Sequence, residues 1–167
     1  VSAAGIHIEP IAVYSKKVTK LADLKKGADI AIPNDPTNEG RALLLLEAAG
    51  LIKLSADAGL EATPVNIAEN PNGFKFTEVE AATLPRVLDD VDAAVINGNY
   101  AIPVGLSATK DGLFVENAES PYVNIVSVKD GNQNNPKVQA VVKALQSDKI
   151  KNWVADKYKN GEVVVVF

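Results

Sequence analysis

Arg41 and Asn97 are the side chains whose types and settings offer binding chemistry. Arg41 is one of two arginines beside fifteen lysines. It ends a polar turn, Asn34-Asp35-Pro36-Thr37-Asn38-Glu39-Gly40, that lies between a strand-like run from Ala28 to Ile32 and the leucines at 43 to 46. An opening helical turn presents unpaired backbone N–H groups and partial positive charge, and a guanidinium there adds a planar fork for a carboxylate or phosphate. The competing expectation is that Arg41 pairs with Glu39 or another surface acid, which is common and contributes little. Spacing alone leaves the two even. Asn97 follows the apolar run Ala93 to Ile96. Its carboxamide has an acceptor and a donor, so the carbonyl can receive an ammonium while the NH₂ meets another oxygen. Arginine plus amide is what an α-amino acid zwitterion needs. Against this, Asn97-Gly98 is a common turn dipeptide, and on the residues alone the turn is favoured.

Other chemistries find less support. His7 is the only histidine and cysteine is absent, so a histidine or thiolate metal centre is not expected, and a lone imidazole between Ile6 and Ile8 reads as a half-buried strand residue. Asp89, Asp90 and Asp92 cluster at the end of a helical pattern, where carboxylates are poorly placed for the dipole and are expected in water. No nucleophile elbow, phosphate loop or dinucleotide fingerprint is present. Acid–base catalysis lacks a suitably spaced pair. No catalytic residue, cofactor or metal ligand is therefore assigned. A net charge of −4 with scattered lysines argues against a nucleic-acid partner. No apolar run reaches the ~20 residues of a membrane-spanning helix.

The elements that must position Arg41 and Asn97 follow from periodicity. Asp35 can cap a helix with Pro36 at its first position, Thr37 being the rival cap, and Gly50 suits the left-handed position beyond its end. Ile6 and Ile8, then Ile11 and Val13, read as two strand pieces interrupted at Glu9-Pro10. Leu21 and Leu24 predict a short helix capped by Thr19 and closed by Gly27. Residues 64 to 71 predict a short helix and a turn. Phe74, Phe76 and Val79 form a strand with Glu78 and Glu80 on its wet side. Leu84, Val87, Leu88 and Val91 make a brief helix with Thr83 as cap. Strands alternating with helices imply βαβ units and a mostly parallel sheet, which brings the ends of the 28–32 and 93–96 strands to one edge. Farther on, short strands are expected at 113–115 and 123–128. A helix with Val138, Val141, Val142 and Leu145 on one face comes next. A second helix, capped by Ser147 or Asp148, carries Ile150, Trp153, Val154 and Tyr158 as an apolar stripe with Trp153 in the core. Residues 163–167 read as a terminal strand.

The strings PNDPTNEGRALLLL, AGLIKL, ATLPRVLDDVDAAVINGNYA and SPYVNIV, in that order, closely resemble the methionine-binding lipoproteins of bacterial ABC importers, the NlpA-type or MetQ-type family. The match runs from about Ile6 to the C-terminus. The resemblance implies an α/β fold like the type 2 periplasmic binding proteins, two lobes joined by two crossing strands. Residues 12–123 would form the second, inner lobe, and 1–11 with 124–167 the hinge strands and the remainder of the first. It also implies a chain that is a C-terminal fragment with its first lobe incomplete and weak or no ligand binding on its own. The implied function is capture of an amino acid, methionine, for an importer permease, by an extracytoplasmic lipoprotein whose lipid anchor lies outside these residues. Arg41 and the helix N-terminus would hold the carboxylate and Asn97 the ammonium, with Asn38, Asn99 and Tyr100 as second-rank contacts. A ligand-sensing regulatory module on a similar fold is the alternative; an enzyme such as a dehydratase is disfavoured by the missing catalytic pair.

Overall fold

The computed structural model describes residues 1–117 and 120–167. The strands are β1 (Ser2–Ile8), β2 (Ala12–Tyr14), β3 (Asp29–Pro33), β4 (Lys53–Leu54), β5 (Ile67–Glu69), β6 (Lys75–Val79), β7 (Ala93–Ile96), β8 (Phe114–Val115), β9 (Asn124–Ser127) and β10 (Val164–Val165). The α-helices are α1 (Pro36–Ala48), α2 (Leu84–Val87), α3 (Gly98–Ala101), α4 (Ala108–Asp111), α5 (Pro136–Leu145) and α6 (Asp148–Lys157). The chain divides into two compact units, Ile11–Glu116 and a second formed by Val1–Pro10 with Asn117–Phe167. The expected change of unit after residue 123 comes earlier in this division. Glu116 is tied to the start of the Ile11–Glu116 unit, its N–H donating to the Ile11 carbonyl at 3.0 Å.

In that unit a five-stranded sheet has the order β6-β3-β7-β2-β8. β3 runs parallel to both neighbours, whereas β2 is antiparallel to β7 and to β8. The sheet is therefore mixed rather than mostly parallel. Parallel neighbours need a crossover; helices supply it among β3, β6 and β7, while β2 reaches β3 through a stretch holding only a 3₁₀ turn, Leu21–Asp23. Side chains of a strand alternate between faces, and here both faces are buried. Val13, Ile30, Ile32 and Val95 face one core with Leu43 and Leu46 of α1. Ala12, Tyr14, Ala31, Ala94 and Ile96 face a second core with Leu84 of α2 and Leu88 just beyond its end. This burial on two sides is why β3 and β7 read as unbroken apolar runs.

Local expectations are corrected at three caps and turns. Lys20, not Thr19, precedes the 3₁₀ turn at Leu21 and caps it with no side-chain bond. Thr83 sends its hydroxyl back to the Glu80 carbonyl at 2.7 Å instead of capping α2. Residues 64 to 71 give a 3₁₀ turn at Pro64–Asn66 followed by β5, which pairs with β4.

The other unit holds a three-stranded antiparallel sheet, β10-β1-β9. His7 is half-buried on β1, its Nε2 lying 3.1 Å from Glu9 Oε1. Ser147 caps α6, and the Gln146 amide donates to the Gly5 carbonyl at 3.0 Å. Trp153 is not core: it is 51% exposed, edge-on to Tyr158 with the Lys157 ammonium 4.9 Å from its ring centre. Val154 is the buried member of that stripe. Among the described residues no helix is long and apolar enough to cross a membrane.

Candidate functional site

The site grows from the end of β3. Asp35 adopts an extended backbone and caps α1, its Oδ1 accepting from the Asn38 backbone N–H at 3.1 Å, with Pro36 in the first turn. Asp35 thus prevails over Thr37 as cap. At the far end Gly50 has φ of +72°, the left-handed geometry expected there.

The same carboxylate also takes the Asn38 side chain. Asn38 Nδ2 lies 3.0 Å from both Asp35 Oδ1 and Oδ2. A carboxylate accepts and does not donate, so this contact turns the Asn38 carbonyl away from Asp35. That carbonyl meets Asn97: Asn97 Nδ2 donates to Asn38 Oδ1 at 2.7 Å. The two residues are 59 positions apart in sequence. They meet because β7 lies beside β3 in parallel register, with Ile30 opposite Ala93 and Ala31 opposite Ala94, so both strands end at one sheet edge.

Asn97 is 5% exposed, and its Oδ1 is buried without a hydrogen-bond partner among the described residues. It precedes α3 with extended backbone, yet its side chain makes no cap bond. Asparagine is among the preferred N-caps, so this side chain has left its usual local role and reached across to α1. The Asn97-Gly98 pair is not a left-handed turn either, since Gly98 is absent from the glycines of positive φ. A buried acceptor with no partner costs stability.

Arg41 stands one helical step beyond Asn38, on the same side of α1. Its fork is engaged by a carboxylate of the protein itself: Nε donates to Glu116 Oε1 at 2.9 Å and Nη2 to Glu116 Oε2, both side chains being about one-tenth exposed. Glu116 Oε2 also receives the Ile11 N–H at 3.3 Å. Arg41 is therefore no bare anion seat. The partner is neither Glu39 nor a solvated surface acid, the pairing expected against the anion seat, but Glu116, distant in sequence and largely buried.

Glu39, next to Asn38, is 6% exposed and its Oε1 has no partner among the described residues. Burial first, then the nearby charges of Glu78 and Asp35, raise its carboxyl above the ordinary 4.5. Asn99, on α3, is exposed, and Tyr100 is half-buried against the second core. Among the described residues no group of three or more His, Asp or Glu side chains is arranged to hold a metal ion. Asp92 is structural: its Oδ2 accepts the Asp29 N–H at 2.9 Å, and that bond holds its carboxyl below the usual range. Sequence reasoning missed Glu116, for which no local signal exists, and saw Asp35 only as a cap.

Comparison with known proteins gives a consistent picture. The family model described as NlpA lipoprotein matches residues 1–167. A membrane lipoprotein of Treponema pallidum is 50% identical over 163 residues, 98% of this chain and 61% of that protein. The D-methionine-binding lipoprotein MetQ of Escherichia coli is 46% identical over 166 residues, again 98% of this chain and 61% of that protein. A nutrient binding protein from Burkholderia cenocepacia, described as bound to methionine, superposes with a TM-score of 0.93 at 50% identity. That match covers 100% of this chain and 70% of the other. The fold is thus the α/β binding-protein type that the resemblance implied. The chain spans about three fifths of the length of the curated relatives it matches.

Proposed function

Because the chain belongs to the NlpA lipoprotein family, we propose that it is the substrate-binding part of an ABC importer and captures a free α-amino acid, methionine. One solved relative is described as bound to methionine and another is named for D-methionine, which supports the choice of ligand. The observation that carries the proposal is the buried Asn97 Oδ1, an acceptor beside the first turn of α1 with no partner among the described residues. An α-ammonium brings three donors and matches it. Arg41 supplies the cation for the ligand carboxylate, and Glu116 fixes the plane of its guanidinium. Asn38 acts through Asn97, while Asn99 and Tyr100 are outer contacts on the adjoining turn. Residues 11–116 correspond in this reading to the inner lobe. Binding is not followed by turnover. Attachment through a lipid outside the cytoplasm and delivery to an importer permease belong to the same proposal.

Calorimetry of the full-length protein with L- and D-methionine tests it. Saturable binding of either isomer is expected, and Arg41→Ala is expected to weaken it by about 2–5 kcal/mol, the scale for removing one member of a desolvated charge pair. Absence of binding to both isomers rejects methionine. Unchanged affinity in the variant removes Arg41 from the site.

A further inference from the structure

We propose that Asp35 is a positioning residue that makes the site selective for a free α-amino group, acting through two carboxamides in series. The inference rests on the ammonium role given to Asn97 above. A primary carboxamide has two orientations of nearly identical shape, one presenting its oxygen and the other its NH₂. Something must choose between them. In this chain the choice starts at Asp35, whose two oxygens both lie 3.0 Å from Asn38 Nδ2. Turning the Asn38 amide over would set three acceptor oxygens against one another. With Asn38 fixed, its Oδ1 faces Asn97 Nδ2 at 2.7 Å. Turning Asn97 over would likewise oppose two carbonyl oxygens at that distance. Asn97 Oδ1 is then left as the buried atom without a partner among the described residues.

The polarity of Asn97 Oδ1, the atom given to the ammonium, is thus set two links away from it. Capping α1 does not by itself require aspartate, since asparagine, serine or threonine would serve. What those residues lack is an acceptor-only group, and that is what gives the relay its direction. With asparagine at position 35 the cap survives, but the new NH₂ can donate to Asn38 Oδ1. Asn38 then offers its own NH₂ to Asn97, and Asn97 turns a donor toward the ligand in place of an acceptor.

The measurement is the ratio of affinities for L-methionine and its des-amino analogue, 4-(methylthio)butanoate, by calorimetry on the full-length protein. The natural protein is expected to prefer methionine. Asp35→Asn is expected to shrink that preference by roughly tenfold or more, the scale set by failing to match a buried acceptor. Asn38→Ala keeps the cap and the Asp35 charge but cuts the relay, and should shrink the ratio similarly. The double variant D35N/N38D moves the acceptor-only group one link along at unchanged net charge. It again opposes an acceptor to Asn97 Nδ2 and should restore the preference to within about threefold, an energy difference of ~0.7 kcal/mol. An unchanged ratio in Asp35→Asn overturns the proposal. So does an unchanged ratio in Asn38→Ala, which would mean that the charge of Asp35 acts through space. Failure of a folded D35N/N38D to recover the preference also overturns it. If the natural protein binds neither compound, the functional reading itself has failed and this inference falls with it. Binding of methionine by the natural protein with an unaltered ratio in the variants sinks the relay alone.

Discussion

Glu116 holds Arg41 in a setting where the pair can be weighed without any ligand. Both side chains are about one-tenth exposed, and the carboxylate engages Nε and Nη2 together. At a centre-to-centre separation near 4 Å the Coulomb attraction is about 4 kcal/mol for an effective dielectric of 20. Desolvating both charges offsets most of that in the intact pair. Removing one partner leaves the other charge desolvated, a loss of about 3–5 kcal/mol for a fully buried pair. The residual exposure sets the expectation at the lower end, about 3 kcal/mol for Glu116→Ala, to which the Ile11 N–H left without its acceptor adds up to ~1 kcal/mol. Arg41→Ala should cost a comparable amount, and the double variant much less than the sum. The expected coupling from a double-mutant cycle is about 2 kcal/mol. Urea titrations followed by circular dichroism give the four stabilities, and contacts that either residue makes elsewhere cancel in the cycle. A coupling under about 0.5 kcal/mol would show an ordinary solvated surface pair and refute the reasoning.

Gly40 tests the seat of α1. A Cβ there would lie 2.1 Å from the Leu60 carbonyl oxygen and 2.9 Å from the Ala62 nitrogen. Alanine gains about 1 kcal/mol of helix propensity over glycine, but the obstacle is backbone, so α1 or the Gly59–Glu61 turn must shift. Gly40→Ala is expected to destabilise by roughly 1–3 kcal/mol net, and a neutral or stabilising result in the same urea assay would contradict the close approach. Glu39→Gln tests the buried acid. Because the folded carboxyl is raised above 4.5, the charged form is disfavoured in the fold. Stability then falls as pH rises from the unfolded value through the folded one, and stays lower above both. The variant should be more stable than the natural chain near neutral pH and lose that advantage in acid below the unfolded value. A difference that does not vary with pH would reject titration of Glu39 as the cause.

Much of this was legible locally. The stop of β3 at Pro33, the Asp35 cap with Pro36 behind it, the buried leucines of α1 and the end of β7 at Asn97 all rest on neighbours in sequence, and periodicity reports neighbours. Even the meeting of the two loops was deducible, because parallel strands joined by crossovers must end on one edge. What could not be read were partners fixed only by the fold. Arg41 and Glu116 are 75 positions apart, and no spacing rule links them. The reversed course of β2 depends on sheet pairing that a three-residue strand does not encode. Trp153 sits on an apolar stripe, yet that stripe continues only as far as Val154 is covered. Thr83 had two ways to satisfy its hydroxyl, and the carbonyl of Glu80, just before the turn at Ala81–Thr83, took it.

The stitching of Ile11 to Glu116 has a consequence for how the molecule assembles. These residues are the first and last of a compact unit, Ile11–Glu116, and the unit's two ends emerge side by side. Once it has folded, the intervening chain acts as a short clasp where an open strand of that length had been a long tether. The entropic barrier to joining the segment before it to the segment after it drops by roughly 3 kcal/mol on the logarithmic scaling of loop closure. β1 and β9, separated in sequence by that whole unit, then become close to a local hairpin.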